Sequence, residues 1–513
     1  MASTRQTGPP QGSAARELID SGFALENADA PFLHQGLNLA DIAHVLDLLR
    51  RGLVPAPAGR DLIRLLLDVE QMDAEAFPYD PEFGEPYNSR ERFFVERLGK
   101  VAGWLHAGRP RREAARIALR IYVRDQLLEL VSEVERFSRR ATALARRHVD
   151  TLMPDQTYLQ QAQPSTFGHY VLSFVYPAVR DARRLLEEFD DLNRSPAGAG
   201  CVNGTRLLDD RTYVAAALGF DEVIEHTRDA MWQIDGLIHV LASAASLLST
   251  QSKLAEDLEI WSSNEFDFVA LADGYTRSSI LMPQKRNPYS LSIVRGASGV
   301  LIGRLTGFLA VAKSPSARSD NLIFAYGEVP RALDLSIRVT RLMTGVVGTL
   351  QVNVERMAHA LDDGYTQATD LSEFIVQTCN VDYRTAYEVV GWAVRKASNE
   401  GIPGRHITGA MLDEAAIAVT GERLGLAATD LEPALDPRVI IETRRGTGGA
   451  APAAVESMLA HCEKKADDLR SAVEQRRAAL DRTKRQLLGQ ARLMAEQEEE
   501  GDGRSRRDDR TAG

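Results

Sequence analysis

The chain has 513 residues, of which 44% are hydrophobic and 26% are charged, and its formal net charge is −11. A chain of this length exceeds the size at which one hydrophobic core keeps growing, so we expect two or three domains. Because the charge is spread along the chain, the composition does not favour nucleic-acid binding, and no unbroken run of roughly eighteen apolar residues favours a membrane span.

Cysteine and histidine usage limits the classes of chemistry. Cys201, Cys379 and Cys462 are far apart and form no Cys-x-x-Cys pair, which is typical of a reduced compartment. The first residues carry no signal pattern, and we therefore expect a cytoplasmic protein. The ten histidines form no His-Glu-x-x-His motif and no cluster with cysteine, so we expect neither a bound metal nor another cofactor.

Helical spacing of apolar residues begins near the N-terminus. Residues 1–15 are mostly small and polar, and we expect them to be disordered. After a break at Gly108-Arg109-Pro110, no proline or glycine occurs before His148, which predicts one continuous helix. At 1.5 Å per residue, this helix of about 38 residues would be roughly 57 Å long. It needs a bundle or a partner chain to cover its apolar stripe.

Four more long segments with helical spacing follow, and strand patterns are scarce. The segments are 167–193, 220–271, 290–312 and 329–361, of which the second is expected to be broken once or twice. Five long helices predict an all-α fold built on a central up-and-down bundle. We predict an N-terminal helical domain at 16–115, the bundle at 116–363, a C-terminal helical domain at 364–494 and a disordered tail at 495–513.

A polar segment at 276–288 interrupts the bundle. It reads Thr-Arg-Ser-Ser-Ile-Leu-Met-Pro-Gln-Lys-Arg-Asn-Pro. Pro283 and Pro288 lack a backbone N–H, and Ser278 and Ser279 favour local hydrogen bonds, so the segment is predicted to be a loop. Such a loop can present catalytic side chains on a rigid frame, or it can be an ordinary polar connection.

The segment 279–288 resembles the signature loop of the aspartase/fumarase superfamily, in particular of its argininosuccinate lyase branch. Further similar segments lie at 105–109, 159–170, 261–266 and 368–371. The resemblance implies a three-domain fold that assembles as a homotetramer with active sites composed of several subunits. It also implies a cofactor-independent lyase whose substrate is a small dicarboxylate.

The resemblance implies a role for each polar side chain of the loop. Ser279 falls at the position of the base that removes a proton beside a carboxylate, and Lys285 and Asn287 fall at positions that hold this carboxylate. Proton removal creates a dianion that needs preorganised cations and donors, and a serine base needs to be an alkoxide in a closed, dry site. Further substrate-binding positions of the family fall on Arg111, Thr157 and Gln163.

Other positions depart from the pattern of the family. Pro110 and Arg112 replace a serine and an asparagine that contact substrate. Tyr158 replaces a histidine, and Ser292 replaces the glutamate that pairs with it. Such a pair is suited to giving a proton to a leaving group. We therefore expect either another acid, with Tyr158 as the candidate, or a leaving group that departs as a stable anion; alternatively, Tyr158 only fills space.

The side that would recognise a leaving amino acid differs as well. By local alignment, three family positions that bind the leaving amino acid fall near Arg318, Ile323 and Tyr326. An arginine of the family is replaced by Ile234. A zwitterion buried against isoleucines would leave charges unmatched, at a cost on the order of a few kcal/mol. The sequence therefore disfavours argininosuccinate, and the predicted substrate-binding residues on this side are Arg112, Arg318 and Tyr326.

Three functions remain open. The leading prediction is a lyase that eliminates an amine or other nitrogen group from a succinyl compound to give fumarate. Its substrate would be an N-substituted aspartate or a nitro- or hydrazino-type succinate. The second is argininosuccinate cleavage itself. The third is an inactive relative with a structural or binding role, which the retention of Ser279, Lys285 and Asn287 disfavours.

Overall fold

The computed structural model describes residues 13–313, 320–362 and 364–497. The two segments predicted to be disordered lie largely outside these ranges, and Arg318 lies outside them too. The N-terminal region contains α1 (Arg16–Leu18), α2 (Ala24–Asn27), α3 (Ala30–Arg50), α4 (Ala56–Val69) and α5 (Pro86–Leu98). A π-helical turn joins α1 to α2 at Ile19–Phe23, and 3₁₀ turns lie at Pro81–Phe83 and Gly99–His106.

Long helices form the centre of the molecule, as the spacing of apolar residues predicts. They and the short helices between them are α6 (Arg111–Arg147), α7 (Phe167–Leu192), α8 (Thr212–Ala217), α9 (Thr227–Trp232), α10 (Asp235–Trp261), α11 (Tyr289–Ala312) and α12 (Glu328–Thr349). Helix α6 has 37 residues and begins directly after Pro110, whose missing N–H costs nothing at a helix start. The predicted all-α class and central bundle are confirmed.

Short strands, which the sequence barely indicated, connect the helices. Four two-stranded pairs occur in the described residues: β1 (Leu152–Thr157) with β2 (Gln160–Thr166), β3 (Arg194–Ser195) with β4 (Glu222–Val223), β5 (Val269–Ala270) with β8 (Gln351–Val352), and β6 (Arg277–Ser278) with β7 (Arg286–Asn287). All are antiparallel except β3 with β4. The β1–β2 and β6–β7 hairpins carry predicted site residues.

The C-terminal region consists of shorter helices and one long one. They are α13 (Val354–Asp362), α14 (Ala368–Cys379), α15 (Tyr383–Asn399), α16 (Gly409–Thr420), α17 (Ala428–Leu435), α18 (Pro437–Glu442) and α19 (Pro452–Glu496). Helices α14 to α17 enclose a separate small core. Helix α19, which we grouped with this domain, instead buries Val455 and Leu469 in the core of the bundle and Leu487 in the N-terminal core.

Helix α11 is the most apolar of the bundle helices and is only partly covered in one chain. By length and composition it could cross a membrane, a test that a helix of a soluble bundle also passes. One side, including Leu291, Val294 and Leu301, is buried in the bundle core, whereas Val300 and Ile302 are exposed. The helix therefore has a second apolar face that none of the described residues covers.

Candidate active site

The predicted catalytic loop is the end of a small hairpin. Arg277 pairs with Asn287 and Ser278 with Arg286, so that residues 279–285 project beyond the strands. The Asn287 side chain donates to the Arg277 carbonyl oxygen at 2.8 Å. Arg286 donates to the Leu271 carbonyl oxygen at 3.0 Å. These bonds fix the base of the loop, while Ile280 and Leu281 at its end are exposed.

Ser279 lies at the start of this projecting segment and is half-buried. Its Oγ accepts the backbone N–H of Met282 at 3.0 Å, which closes a local turn of the kind that serine favours. Ser279 and Asn287 line one open cavity, whereas Lys285 is exposed on the same hairpin. The structure thus brings together two of the three predicted residues and keeps the third close in the chain.

Two charged residues that sequence analysis missed, Glu259 and Arg277, also line this cavity. Glu259 comes from the last turns of α10, and its Oε2 accepts from Arg295 at 2.6 Å. The Ser292 hydroxyl donates to Oε1 of Glu259 at 3.3 Å. No local pattern marks Glu259, because its relation to the loop depends on how α10 packs beside α11.

The second group of predicted residues lies on the β1–β2 hairpin. Thr157 pairs with Gln160, and the turn between them consists of Tyr158 and Leu159. Both turn residues have positive φ, 56° and 59°, in the left-handed region that non-glycine residues rarely adopt. Thr157 and Gln163 are exposed, and the Tyr158 side chain is 98% exposed. Tyr158 therefore points away from its own chain.

The third group lies at the N-terminal end of α6. The Arg111 side chain pairs with Glu85 at 2.7 Å and donates to Asn88 at 3.2 Å. Arg112 and Tyr326 line a neighbouring cavity, together with Ile323. Ile234 lines an adjoining cavity that Tyr326 also reaches. The two isoleucines therefore line adjoining cavities, and their role beside a leaving group stays a prediction.

Burial shifts the pKa values of several ionisable groups near the N-terminal end of α6. Arg116 lies with its guanidinium carbon 4.0 Å from the Tyr326 ring centre. Burial lowers the pKa of Arg116 and raises the pKa of Tyr326. Burial also raises the pKa of Asp29 to about 6, although its ion pair with Arg331 opposes this change. Sequence analysis did not single out Arg116, because its burial beside Tyr326 arises only in the folded chain.

The first and third groups lie at opposite ends of the bundle. Glu259, in the Ser279 cavity, is near the end of α10, whereas Asp235, beside Ile234, is at its start. At 1.5 Å per residue, these two positions are roughly 36 Å apart. A single small substrate cannot contact both ends within one chain. Among the described residues, no group of three or more His, Cys, Asp or Glu is arranged to hold a metal ion.

Comparison with protein families and curated relatives gives a consistent result. A lyase family model matches residues 74–303, and an argininosuccinate lyase C-terminal model matches residues 365–442. Argininosuccinate lyase of Methanothrix thermoacetophila is 32% identical over 88% of this chain and 91% of its own length. The enzyme of the same name from Geobacillus thermodenitrificans is 31% identical over 87% of this chain and 95% of its own.

Solved structures agree with the sequence comparison. A variant of EDDS lyase with bound fumarate superposes with a TM-score of 0.83 and 29% identity, over 94% of this chain and 96% of that chain. The 3-carboxy-cis,cis-muconate lactonizing enzyme from Pseudomonas putida shares the fold at a TM-score of 0.69 and 20% identity, over 89% of this chain and 100% of that chain. The chain belongs to the aspartase/fumarase superfamily, within its argininosuccinate lyase-like members, and is a carbon–nitrogen lyase.

Proposed function

We propose that this enzyme eliminates a nitrogen leaving group from a succinyl substrate to give fumarate, with Ser279 as the base. The observation that carries the proposal is the loop: a serine and an asparagine line one cavity on a hairpin that also bears a lysine. The similarity to a fumarate-bound EDDS lyase over most of the chain supports fumarate as the product.

The loop offers the charges and donors that this reaction requires. Ser279 takes the proton from the carbon beside a carboxylate, and the resulting dianion is stabilised by the Lys285 ammonium and the Asn287 amide. The Met282 N–H already points at the Ser279 oxygen at 3.0 Å. Because an N–H donor stabilises an oxyanion, this contact favours the alkoxide that the base must become.

The distance between the groups of site residues leads us to propose a homotetramer with composite sites. Residues roughly 36 Å apart along α10 act on one substrate only if different subunits supply them. The exposed face of α11 is suited to contact a second copy of this chain, since Val300, Ile302 and Leu309 are 46–52% exposed there. Added Cβ atoms at Gly299 and Gly303 would meet no atom of the described residues within 4 Å, which leaves room for close helix packing.

The cavity at the start of α6 is proposed to hold the leaving group, and it allows two substrate classes. Ile323 and Tyr326 suit the less polar substituent of an N-substituted aspartate. Glu26 and Asp29 also line the cavity, and their carboxylates favour a cationic group such as the guanidinium of argininosuccinate. Argininosuccinate is therefore the second candidate.

Fumarate detection tests these proposals directly. The purified enzyme is incubated with N-substituted aspartates, other nitrogen-bearing succinates and argininosuccinate, and fumarate is followed by its absorbance. We expect fumarate from at least one substrate, and we expect Ser279→Ala to lower kcat by roughly 100-fold or more. Ser457→Ala, which removes an exposed hydroxyl on α19, is the matched control. Turnover by Ser279→Ala equal to wild type would contradict the role of this serine.

A further inference from the structure

The family resemblance implies a glutamate at the position of Ser292, and in this chain a carboxylate from another helix contacts the Ser292 side chain. Glu259 reaches it from the neighbouring helix α10, with its Oε1 accepting from the Ser292 hydroxyl at 3.3 Å. Arg295, one turn further along α11, binds the other carboxylate oxygen at 2.6 Å. Glu259 of α10 and Ser292 of α11 thus lie together in the cavity that Ser279 lines.

Glu259 is open to a ligand in that cavity. Its side chain is 28% exposed, and it lines the same space as Ser279 and Asn287. A carboxylate has about four lone-pair positions, and the contacts with Ser292 and Arg295 use two of them. Glu259 can therefore accept a further hydrogen bond from a donor on the substrate.

The charges around Ser279 match one class of substrate. Arg277 lines the cavity and Lys285 lies on the same hairpin, so two positive groups are present in addition to the ion pair of Glu259 with Arg295. An N-substituted aspartate carries two carboxylates and one ammonium, the complementary set. A nitrosuccinate has no cationic nitrogen, so it would leave Glu259 with only its contacts to Ser292 and Arg295.

We propose that Glu259 is a specificity-determining residue that binds a positively charged nitrogen, so that the enzyme acts on N-substituted aspartates in their ammonium form. This inference rests on the proposed lyase function. It also removes the need for the missing histidine and glutamate pair. A nitrogen that is already protonated departs as a neutral amine without a further acid.

The elimination balances with the groups named. The Ser279 alkoxide takes the carbon-bound proton, and the electron pair of that C–H bond forms the double bond of fumarate. The C–N bond breaks, and its electron pair stays on nitrogen, which leaves as a neutral amine with the protons it already carried. The proton on Ser279 then passes to water, which restores the alkoxide.

Substitution of Glu259 with a matched control tests the assignment. We expect Glu259→Gln to lower kcat/KM for N-substituted aspartates by roughly 10- to 100-fold, mainly through KM, because a hydrogen bond to a charged group is lost. Glu256→Gln is the control, since Glu256 also pairs with Arg295, at 3.5 Å, but does not line the cavity. It should leave kcat/KM within about twofold.

A relocation variant separates specificity from simple loss of structure. In a Glu259→Leu background, we expect Ser292→Glu to restore at least a tenth of the lost activity, since α11 then supplies a carboxylate to the same cavity. Unchanged activity of Glu259→Gln on amine substrates, or equally efficient turnover of a nitrosuccinate by the wild type, would overturn the inference alone. Absence of fumarate from every substrate with wild-type enzyme would overturn the lyase proposal and this inference with it.

Discussion

Asp41 is a buried carboxylate in the N-terminal core that pairs with two buried arginines. Arg90 donates to Asp41 at 2.7 Å, Arg109 contacts the other carboxylate oxygen, and all three side chains are nearly inaccessible to water. The two guanidinium groups hold the pKa of Asp41 below its usual range, although burial opposes them. Arg109 belongs to a motif that resembles a substrate-binding segment, yet its side chain is structural.

Removal of this carboxylate should be severe. We expect Asp41→Asn to lower the free energy of unfolding by about 3–5 kcal/mol, because two buried arginines lose their counter-charge. Chemical denaturation measures the change. The control is Asp61→Asn, which breaks an exposed pair with Arg64 and should cost less than about 1 kcal/mol. Equal effects of the two substitutions would contradict the importance of burial.

Glu113 should make stability depend on pH near neutrality. Its two oxygens accept the backbone N–H groups of Gly198 and Gly200 at 2.7 Å each, and burial raises its pKa from 4.5 to about 7. The folded state therefore binds a proton more readily than the unfolded state, so this contribution is full below pH 4.5 and is lost as the pH rises through 7. We expect Glu113→Gln to flatten the change in Tm between pH 5.5 and 8. If Tm changed with pH as in the wild type, groups other than Glu113 would cause the pH dependence.

At the scale of the elements, helices α3 and α6 pack closely where α3 carries Gly36. A Cβ on Gly36 would lie 2.6 Å from the Ala118 Cα on α6, closer than two carbon atoms can pack. We expect Gly36→Ala to destabilise the protein by about 1–3 kcal/mol, since α3 has to move, even though alanine is the better helix former. The matched control is Gly489→Ala in α19, where a Cβ meets no described atom within 4 Å. It should leave stability unchanged or raise it by up to about 1 kcal/mol.

At the scale of the whole molecule, the apolar face of α11 should decide assembly and activity together. We expect Val300→Arg to yield smaller oligomers and no fumarate, because a charge is costly to bury in a helix interface. Light scattering after size-exclusion chromatography measures the mass. Val439→Arg on α18 is the control, since Val439 is similarly exposed, at 41% against 47% for Val300. A Val300→Arg protein with the same mass as the wild type and full activity would exclude this face as the interface.

The sequence by itself determined the helical class, the family and the loop that carries Ser279. These features depend on neighbours in the sequence. The spacing of apolar residues predicts the helix that starts at Arg111, and Pro283 and Pro288 prevent a helix between α10 and α11 however these helices pack. The signature of the loop is likewise a continuous segment, so it can be recognised without knowledge of neighbours in space.

Only the tertiary structure decided which side chains meet. Glu259 and Ser292 lie on two different helices, with 3.3 Å between the Glu259 carboxylate and the Ser292 hydroxyl. The burial of Arg109 and the packing of α19 against the bundle likewise depend on contacts between residues distant in sequence. It also placed Ser279 and Tyr326 at opposite ends of α10. Helical spacing shows which face of a helix is apolar, but the packing of all helices together determines what that face contacts.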